Sequence, residues 1–432
     1  MAELHINTQL VHAGYKPDPT TGALAVPRYV SAAYALGTAE NAAAIFALQK
    51  DGYTYSRIGD PTTTALEDKL TVIEGGVGAV AFSSGTQAVL CSILNLAENG
   101  DEIVAANDLY GGTFTQHNDI LSRLGITVKF VDPTDLDELR GAITDRTKAV
   151  YTETMGNPGL NVPDLEAIAA IAHENGIPYI VDSTFTPPVL LRPFDYGADI
   201  VVHSLTKWMN GHGTVLGGAV IDSGNFDWAK SGKHPLLTEK DSSYHGLNYA
   251  YDLLGGTGYI VRMALVPLRN LGGNISPHNS GDIMQGSQTL HLRMERTCEN
   301  ALAVAEYLEA HDLVDWVQYP GLESHPSHEN AVKYLPNGFG GVVVFGPKGG
   351  KEAGRKFINS LEGQQVITHA VNVGDARTLI VQPGTTTHSQ HTPEQLEAAG
   401  IAPELLRLSL GIEYIDDIIG VLGEALHQSQ QK

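Results

Sequence analysis

The sequence predicts an α/β fold in which a mostly parallel central sheet is flanked by helices. From about residue 66 to residue 224, short β-rich segments alternate with helical ones, which is typical of parallel strands joined by crossover helices. The chain has 432 residues, enough for two or three domains with their own cores. Charged residues make up 18% of it, below the roughly 25% of an average protein, which argues against disorder and against a coiled coil.

Runs of β-branched and apolar residues define the strands of this sheet. The predicted strands are 79–82, 102–105, 127–131, 149–153, 179–182, 200–203 and 218–221. The clearest helix between them is 164–174, which has apolar residues on one face and Gly176 just past its end. The segment 192–199 is too short for a crossover helix, so the order of the strands on either side of it stays open.

The regions on either side of this unit differ from it. Residues 1–62 are polar, rich in turns and weakly periodic, and we expect an N-terminal arm that packs on another subunit. Residues 63–275 form the large domain, although 225–270 give no firm secondary-structure prediction. Residues 276–432 are expected to form a smaller α+β domain, with a long helical stretch over 277–310, a strand at 341–345 and a helix at 351–361.

The charge balance and the cysteine content restrict the partners and the compartment. Lys plus Arg number 27 against 49 Asp plus Glu, a net charge of −22 without a basic patch, so neither nucleic acid nor an anionic membrane is an expected partner. Cys91 and Cys298 are too few for a disulfide framework. Without a signal-peptide core or a run near ~18 apolar residues, the expected location is cytoplasmic.

A lysine follows one of the predicted strands. Ser204-Leu205-Thr206-Lys207 comes directly after 200–203, and in extended backbone Ser204 and Thr206 would point to one side. This is the strand edge at which open α/β sheets bind ligands. A lysine is nucleophilic only as the free amine, which a desolvated pocket favours. The alternative is a surface lysine.

Asp182 ends the neighbouring predicted strand. A carboxylate there is costly to bury unless a cation or hydrogen-bond donor faces it. A protonated pyridine nitrogen would be such a partner, and a turn or helix-cap role is the alternative.

Small residues after the strand at 79–82 suggest a phosphate site. Ser83-Ser84-Gly85-Thr86 leads into a helix predicted from about Ala88, and backbone N–H groups at a helix start bind anions. Tyr110, after the next strand, could stack on a ring, or it could be a packing residue. Lysine, aspartate, phosphate donors and an aromatic ring together indicate a pyridoxal phosphate site.

Several motifs resemble the Cys/Met-metabolism pyridoxal phosphate enzymes of fold type I, over essentially the whole chain. They are Tyr55-Ser56-Arg57-Ile58-Gly59-Asp60-Pro61-Thr62, Ser84-Gly85, Asp182-Ser183-Thr184-Phe185, Ser204-Leu205-Thr206-Lys207 and Arg407-Leu408-Ser409-Leu410-Gly411-Ile412-Glu413. Within the family, Tyr244-His245-Gly246-Leu247 and the pairing of 374–379 with Thr386-Thr387-His388 most resemble the O-acetylhomoserine sulfhydrylases.

The resemblance implies pyridoxal 5′-phosphate as cofactor and a role for each motif residue. Lys207 would bind it covalently, Asp182 would pair with the ring nitrogen and Tyr110 would stack on the ring; these three are the expected catalytic residues. Arg407 would bind the substrate α-carboxylate, assisted by Tyr55 and Tyr110. The remaining cofactor-binding residues would be Ser84, Gly85, Thr86, Asn157, Thr184, Ser204 and Thr206, together with Tyr55 and Arg57 from a neighbouring subunit.

The implied reaction is γ-replacement on O-acetyl-L-homoserine by sulfide or methanethiol, which gives homocysteine or methionine and acetate. A homo-oligomer is expected, a tetramer built from dimers that share active sites, without a metal. Cystathionine γ-synthase and methionine or cystathionine γ-lyase are the alternatives. Family lyases place a reactive cysteine near the substrate, and neither cysteine here fits that place. Three departures from the family pattern leave the substrate preference open: Asp60, which adds negative charge near the proposed phosphate site, Leu205, and Gln382-Pro383-Gly384.

Three interpretations from other classes are weaker. The glycine run from Gly211 to Gly217 has dinucleotide-binding spacing, but no apolar strand precedes it. His388 and His391 could suggest a metal site, but their segment resembles a loop more than a helix. A non-catalytic binding protein would not need Lys207, Asp182 and Arg407 together.

Overall fold

The computed structural model of the chain describes residues 4–386 and 401–431 and contains two β-sheets. The strands are β1 Gly78–Phe82, β2 Glu102–Ala106, β3 Thr127–Val131, β4 Thr147–Glu153, β5 Tyr179–Asp182, β6 Ile200–His203, β7 Gly218–Asp222, β8 Val314–Gln318, β9 Val342–Pro347, β10 Ile367–His369, β11 Thr378–Val381 and β12 Leu406–Ser409. The first sheet has seven strands in the order β1-β7-β6-β5-β4-β2-β3, and β7 alone runs antiparallel to its neighbours. The predicted mostly parallel sheet is therefore confirmed.

Helices cover this sheet and connect it to the second one. They are α1 Ile6–His12, α2 Ala39–Phe46, α3 Pro61–Glu74, α4 Gly85–Leu94, α5 Gly111–Thr115, α6 Leu136–Ala142, α7 Leu165–Glu174, α8 Trp228–Ser231, α9 Pro235–Thr238, α10 Tyr249–Asp252, α11 Gly258–Met263, α12 Arg269–Leu271, α13 Pro277–Ser287, α14 Leu290–Glu309, α15 His328–Tyr334, α16 Gly350–Ser360 and α17 Ile415–Ser429. No helix among the described residues is long and apolar enough to cross a lipid bilayer.

The core lies on both faces of the first sheet because successive strand residues point to opposite sides. In β5, Tyr179 and Val181 pack in the cluster that contains α3 and α7, whereas Ile180 packs in the cluster that contains α4 and α11. A third cluster lies between the second sheet and helices α14, α16 and α17. Because helices cover both faces of the first sheet, its carboxyl edge remains the place for a site.

Local sequence explains where α3 begins and ends. Asp60 Oδ1 accepts hydrogen bonds from the backbone N–H groups of Thr62 and Thr63 at 2.9 and 3.0 Å, and Pro61 occupies the first turn. The helix ends at Glu74, and Gly75 follows it with a φ of 79°, which suits glycine. The Asp60 departure from the family pattern is therefore a helix cap in this chain, with its carboxylate occupied by α3.

The structure differs from the sequence prediction in two regions and assigns helices in a third, for which no prediction was made. The stretch 277–310 is two helices, α13 and α14, because the Gly286 carbonyl accepts a 2.8 Å hydrogen bond from the Arg293 side chain where the helix would continue. The arm contains α1 and α2, which span seven and eight residues. Residues 225–270 contain α8 to α11, each of six residues or fewer. Such short helices have too few turns to show a 3.6-residue period.

The second sheet, in the order β10-β11-β12-β9-β8, supports the prediction of an α+β unit at the C-terminal end of the chain. It is antiparallel except for the pair β10 and β11. The predicted boundaries at 62/63 and 275/276 stay predictions.

Candidate active site

A cavity of about 280 Å³ lies at the carboxyl edge of the first sheet and extends to the second sheet. All predicted site residues except Tyr55 and Arg57 line it. They are Ser84, Gly85, Thr86, Tyr110, Asn157, Asp182, Thr184, Ser204, Thr206, Lys207 and Arg407. The wall also includes Glu153, Asn372 and the apolar side chains of Met155, Phe185, Leu216, Val371 and Val373.

Lys207 lies in a turn that follows β6. Its Nζ donates a 2.7 Å hydrogen bond to Asn372 Oδ1, on the loop after β10. Burial, together with the positive charge of Arg407, lowers the pKa of Lys207 to about 8. The free amine that a nucleophilic lysine requires therefore makes up about a tenth of the population at pH 7 and about half at pH 8.

Ser204 and Thr206 both line the cavity because the chain turns after β6, and not because it is extended there. β6 ends at His203, so the expected extended backbone through Ser204 and Thr206 is wrong. The Thr206 hydroxyl instead hydrogen bonds the backbone N–H and C=O of Gly217 at 3.1 and 3.2 Å. The backbone N–H of Ser204 donates to Thr184 Oγ1 at 2.8 Å.

The start of α4 forms the anion-binding side of the cavity. Ser84 caps the helix by accepting from the Gln87 N–H at 3.2 Å, so α4 begins at Gly85, three residues before the predicted start. A Cβ at Gly85 would lie 2.6 Å from the Ser204 Cβ, so only glycine lets the helix start approach this turn. The N–H groups in the first turn of the helix and the nearby hydroxyls provide donors for a phosphate monoester.

Two carboxyl groups lie side by side at the end of β4 and β5. Glu153 is paired with Asp182 in the parallel register. Burial raises the pKa of both groups, most strongly that of Glu153, which is also repelled by Asp182. Among the described residues neither forms an ion pair. The Asp182 carboxylate accepts the Thr184 N–H at 2.9 Å and also interacts with the Thr184 and Tyr151 hydroxyls, which are neutral donors. Such a cluster fits a cationic ring ligand such as a pyridinium.

Arg407 extends from β12 into the cavity from the second sheet. It is 6% exposed, and its Nη1 donates a 3.0 Å hydrogen bond to Asn157 Oδ1. Burial lowers the pKa of Arg407 to about 10, so the guanidinium stays charged at neutral pH. Its planar fork suits a carboxylate.

Tyr110 forms the exposed rim of the cavity and precedes α5. It is 47% exposed, and its backbone N–H donates to Glu153 Oε1 at 2.7 Å. Tyr55 and Arg57 do not line the cavity of their own chain. The Arg57 guanidinium lies 5.5 Å from the Tyr55 ring centre and contacts the Arg269 carbonyl.

Sequence reasoning missed Glu153 and Asn372 as site residues. Glu153 ends a predicted strand next to Asp182, and this strand-end position was a usable signal. Asn372 has no comparable local signal, because its contact with Lys207 depends on how the two sheets pack. Thr387, His388 and His391 lie outside the described residues.

Comparison with known proteins identifies the family. A model of the family described as Cys/Met metabolism PLP-dependent enzymes matches residues 7–427. The chain belongs to this family. Pyridoxal phosphate is accordingly its cofactor, and the donors, the amine and the buried carboxyl groups of the cavity fit it.

Individual relatives cover nearly the whole chain. It is 46% identical to a homocysteine synthase of Schizosaccharomyces pombe over 98% of both chains. It is 45% identical to O-acetyl-L-homoserine sulfhydrylase 1 of Thermus thermophilus, over 98% of this chain and 100% of the relative. A Campylobacter jejuni crystal structure, assigned as an O-acetylhomoserine (thiol)-lyase and carrying a pyridoxyl-lysine phosphate, matches with a TM-score of 0.94 and 36% identity over 98% of this chain and 100% of its own.

Proposed function

We propose that the protein is a transferase that replaces the acetyl-bearing oxygen of O-acetyl-L-homoserine with sulfide or methanethiol. The observation that carries this proposal is one cavity in which the Lys207 amine, the Asp182 carboxyl and the Arg407 guanidinium meet. The names of relatives at 45% and 46% identity support the substrate.

Each residue of the cavity would contribute one task. When bound, pyridoxal phosphate supplies an electron sink for negative charge at the substrate α-carbon. Lys207 would hold the cofactor and, once released by the substrate amine, would carry protons at the α- and β-carbons. Asp182 would face the ring nitrogen, Tyr110 the ring face, and Arg407 the substrate α-carboxylate.

The charge of the cavity supports an acetyl group over a succinyl group. Lys207 and Arg407 are the cationic side chains that line it within the described part of the chain. Both are needed for the cofactor and the α-carboxylate, which leaves no cation for the second carboxylate of a succinyl ester. The wall near Met155, Phe185 and Leu216 is apolar, which suits a small neutral leaving group.

A product assay tests this proposal. Purified holoenzyme would be given O-acetylhomoserine, O-succinylhomoserine, cystathionine or methionine, each with sulfide, with cysteine or with neither. We expect homocysteine only from O-acetylhomoserine with sulfide, and no turnover by Lys207→Ala. Thiol release from methionine or cystathionine without added sulfide would instead support a γ-lyase, and cystathionine formation from cysteine would support a γ-synthase.

We further propose a tetramer built from dimers, with Tyr55 and Arg57 completing the site of a neighbouring subunit. Their position outside the cavity of their own chain supports this arrangement. Lys207→Ala and Arg57→Ala subunits, unfolded and refolded together, would then regain activity that neither variant has alone. Absence of recovery in confirmed mixed oligomers would contradict shared sites.

The two larger parts of the chain would have different roles, and the protein would be cytoplasmic. Residues 63–275 would bind the cofactor, and 276–432 would supply Arg407. A cytoplasmic location is consistent with Cys91 and Cys298, which are both buried and unpaired.

A further inference from the structure

Glu153 occupies a central place in the cavity without a role in the proposed chemistry. It ends β4, directly opposite Asp182 of β5 in the parallel register, so both side chains leave the sheet at its carboxyl edge. Glu153 is only 8% exposed, and both carboxyl groups line the cavity.

The carboxyl of Glu153 holds the backbone of Tyr110. Its Oε1 accepts the Tyr110 N–H at 2.7 Å. Tyr110 is the N-cap of α5, and its side chain makes no cap hydrogen bond. The contact with Glu153 therefore fixes the backbone from which the Tyr110 ring extends. The ring itself lies against Gly112, where a Cβ would lie 2.5 Å from the Tyr110 Cε1.

Of the two carboxyl groups, Glu153 is the one expected to keep its proton. Asp182 accepts the Thr184 N–H and lies near His203, which pairs with buried Glu74. The titratable groups that face Glu153 are Asp182, Asp108 and Tyr151, and none of them is a cation. Two adjacent buried carboxyl groups do not both ionise readily. A neutral carboxyl still offers its carbonyl oxygen to the Tyr110 N–H.

We propose that Glu153 is a positioning residue for the cofactor: its uncharged carboxyl fixes Tyr110 against the ring and leaves the negative charge at the ring nitrogen to Asp182. This inference rests on the roles proposed above for Tyr110 and Asp182. Glu153, the second carboxyl of the cavity, thus orients the cofactor ring and takes part in no proton transfer.

The test compares Glu153→Gln, which keeps a neutral acceptor, with Glu153→Ala, which removes it. The holoenzyme is examined without substrate by visible circular dichroism and by the pH titration of the cofactor absorption. We expect Glu153→Ala to lose more than half of the circular dichroism signal, since one hydrogen bond that orients the ring is lost. Glu153→Gln should restore most of the lost signal and titrate at the parental midpoint, because one neutral group replaces another.

Gly112→Ala displaces the same ring through a different contact and provides an independent check. If both residues act through the position of Tyr110, the double variant Glu153→Ala/Gly112→Ala should lose little more signal than the stronger single variant. If Glu153→Ala does not fold, the titration midpoint of Glu153→Gln still tests the proposal.

Glu102→Ala is the control for a purely structural effect. Glu102 is a buried carboxylate on β2 that pairs with Lys129 at 2.7 Å, outside the cavity. Its loss should lower stability and leave the visible circular dichroism unchanged. A parental spectrum for Glu153→Ala would overturn the positioning role, and a titration midpoint of Glu153→Gln displaced by about one pH unit would overturn the uncharged state. Because no substrate is present, an incorrect substrate assignment would not affect these spectra.

Discussion

The amine of Lys207 and the side-chain amide of Asn372 are joined by a 2.7 Å hydrogen bond. Lys207 follows a strand of the first sheet, whereas Asn372 lies on a loop of the second, so the contact connects the two sheets across the cavity. The acceptor is neutral. It orients the amine without the stabilisation of the ammonium that a carboxylate would give.

Replacement of Asn372 should therefore affect both the position and the protonation of Lys207. Asn372→Ala removes the acceptor, and we expect kcat to fall about tenfold because the amine is no longer oriented. Asn372→Asp places a negative charge beside the ammonium, which raises the pKa of Lys207 and moves the rising limb of the kcat profile to higher pH. The control is Asn359→Asp, the same change at an exposed position of α16, which should leave the profile in place. An unshifted profile in Asn372→Asp would show that the contact does not control the amine.

The pKa of Lys207 predicts how the apoenzyme captures its cofactor. Burial disfavours the ammonium and lowers the pKa to about 8, so the reactive free amine predominates above that pH and declines below it. The rate of cofactor capture, followed by visible absorption, should rise roughly tenfold per pH unit below about 8 and then level off. Nα-acetyl-lysine with free cofactor provides the reference for a solvated amine. A capture midpoint near that of this model amine, at about 10.4, would mean that Lys207 is not desolvated.

Most of the site residues that the sequence predicted were found from their positions at the ends of predicted strands. Asp182 and Lys207 follow runs of buried residues, and the parallel topology brings such positions to one edge of a sheet. The Arg407 assignment came from the family resemblance, since nothing local to β12 distinguishes this arginine from others.

Contacts between distant elements account for what the sequence did not predict. Asn372 meets Lys207 only because the second sheet packs over the first, and the break between α13 and α14 depends on a side chain seven residues beyond Gly286. The turn at Ser204 replaces an extended strand through hydrogen bonds to Thr184 and, at Thr206, to Gly217. None of these interactions can be predicted from local secondary-structure propensity.

The close approach of Gly85 to Ser204 predicts a specific requirement for glycine. A Cβ at Gly85 would lie 2.6 Å from the Ser204 Cβ and 2.9 Å from its Cα, so alanine must push the helix start away from the turn. We expect Gly85→Ala to weaken cofactor binding at least tenfold, measured by equilibrium titration of the apoenzyme. Gly141→Ala is the matched control, because nothing lies within 4 Å of a Cβ in that helix position. It should keep the parental affinity and stabilise the fold by about 0.5–1 kcal/mol. Equal cofactor affinities for the two variants would contradict a phosphate-binding site at the start of α4.

Replacement of Arg407 should weaken substrate binding without weakening cofactor binding. Arg407→Lys keeps a positive charge but loses the planar fork and the 3.0 Å hydrogen bond to Asn157, so a carboxylate can no longer be bound through two parallel hydrogen bonds. Loss of a charge-assisted hydrogen bond of about 2–3 kcal/mol corresponds to a fall of roughly 30- to 150-fold in kcat/KM for O-acetylhomoserine. Most of this fall should be an increase in KM, because the carboxylate contact is made equally in the ground state and the transition state.

The spectrum of the bound cofactor distinguishes this outcome from a general disturbance of the site. Arg407 enters from the second sheet, whereas Asp182, Ser204 and the start of α4 belong to the first, so Arg407→Lys should keep the parental visible spectrum. Arg355→Lys makes the same substitution at an exposed arginine of α16 that pairs with Glu352, and it should leave both KM and spectrum unchanged. A fall in kcat with a parental KM would place Arg407 in the chemical step instead of in substrate binding. A variant that binds O-acetylhomoserine and its des-carboxy analogue equally well, as the parent should not, would confirm that the lost contact was to the α-carboxylate.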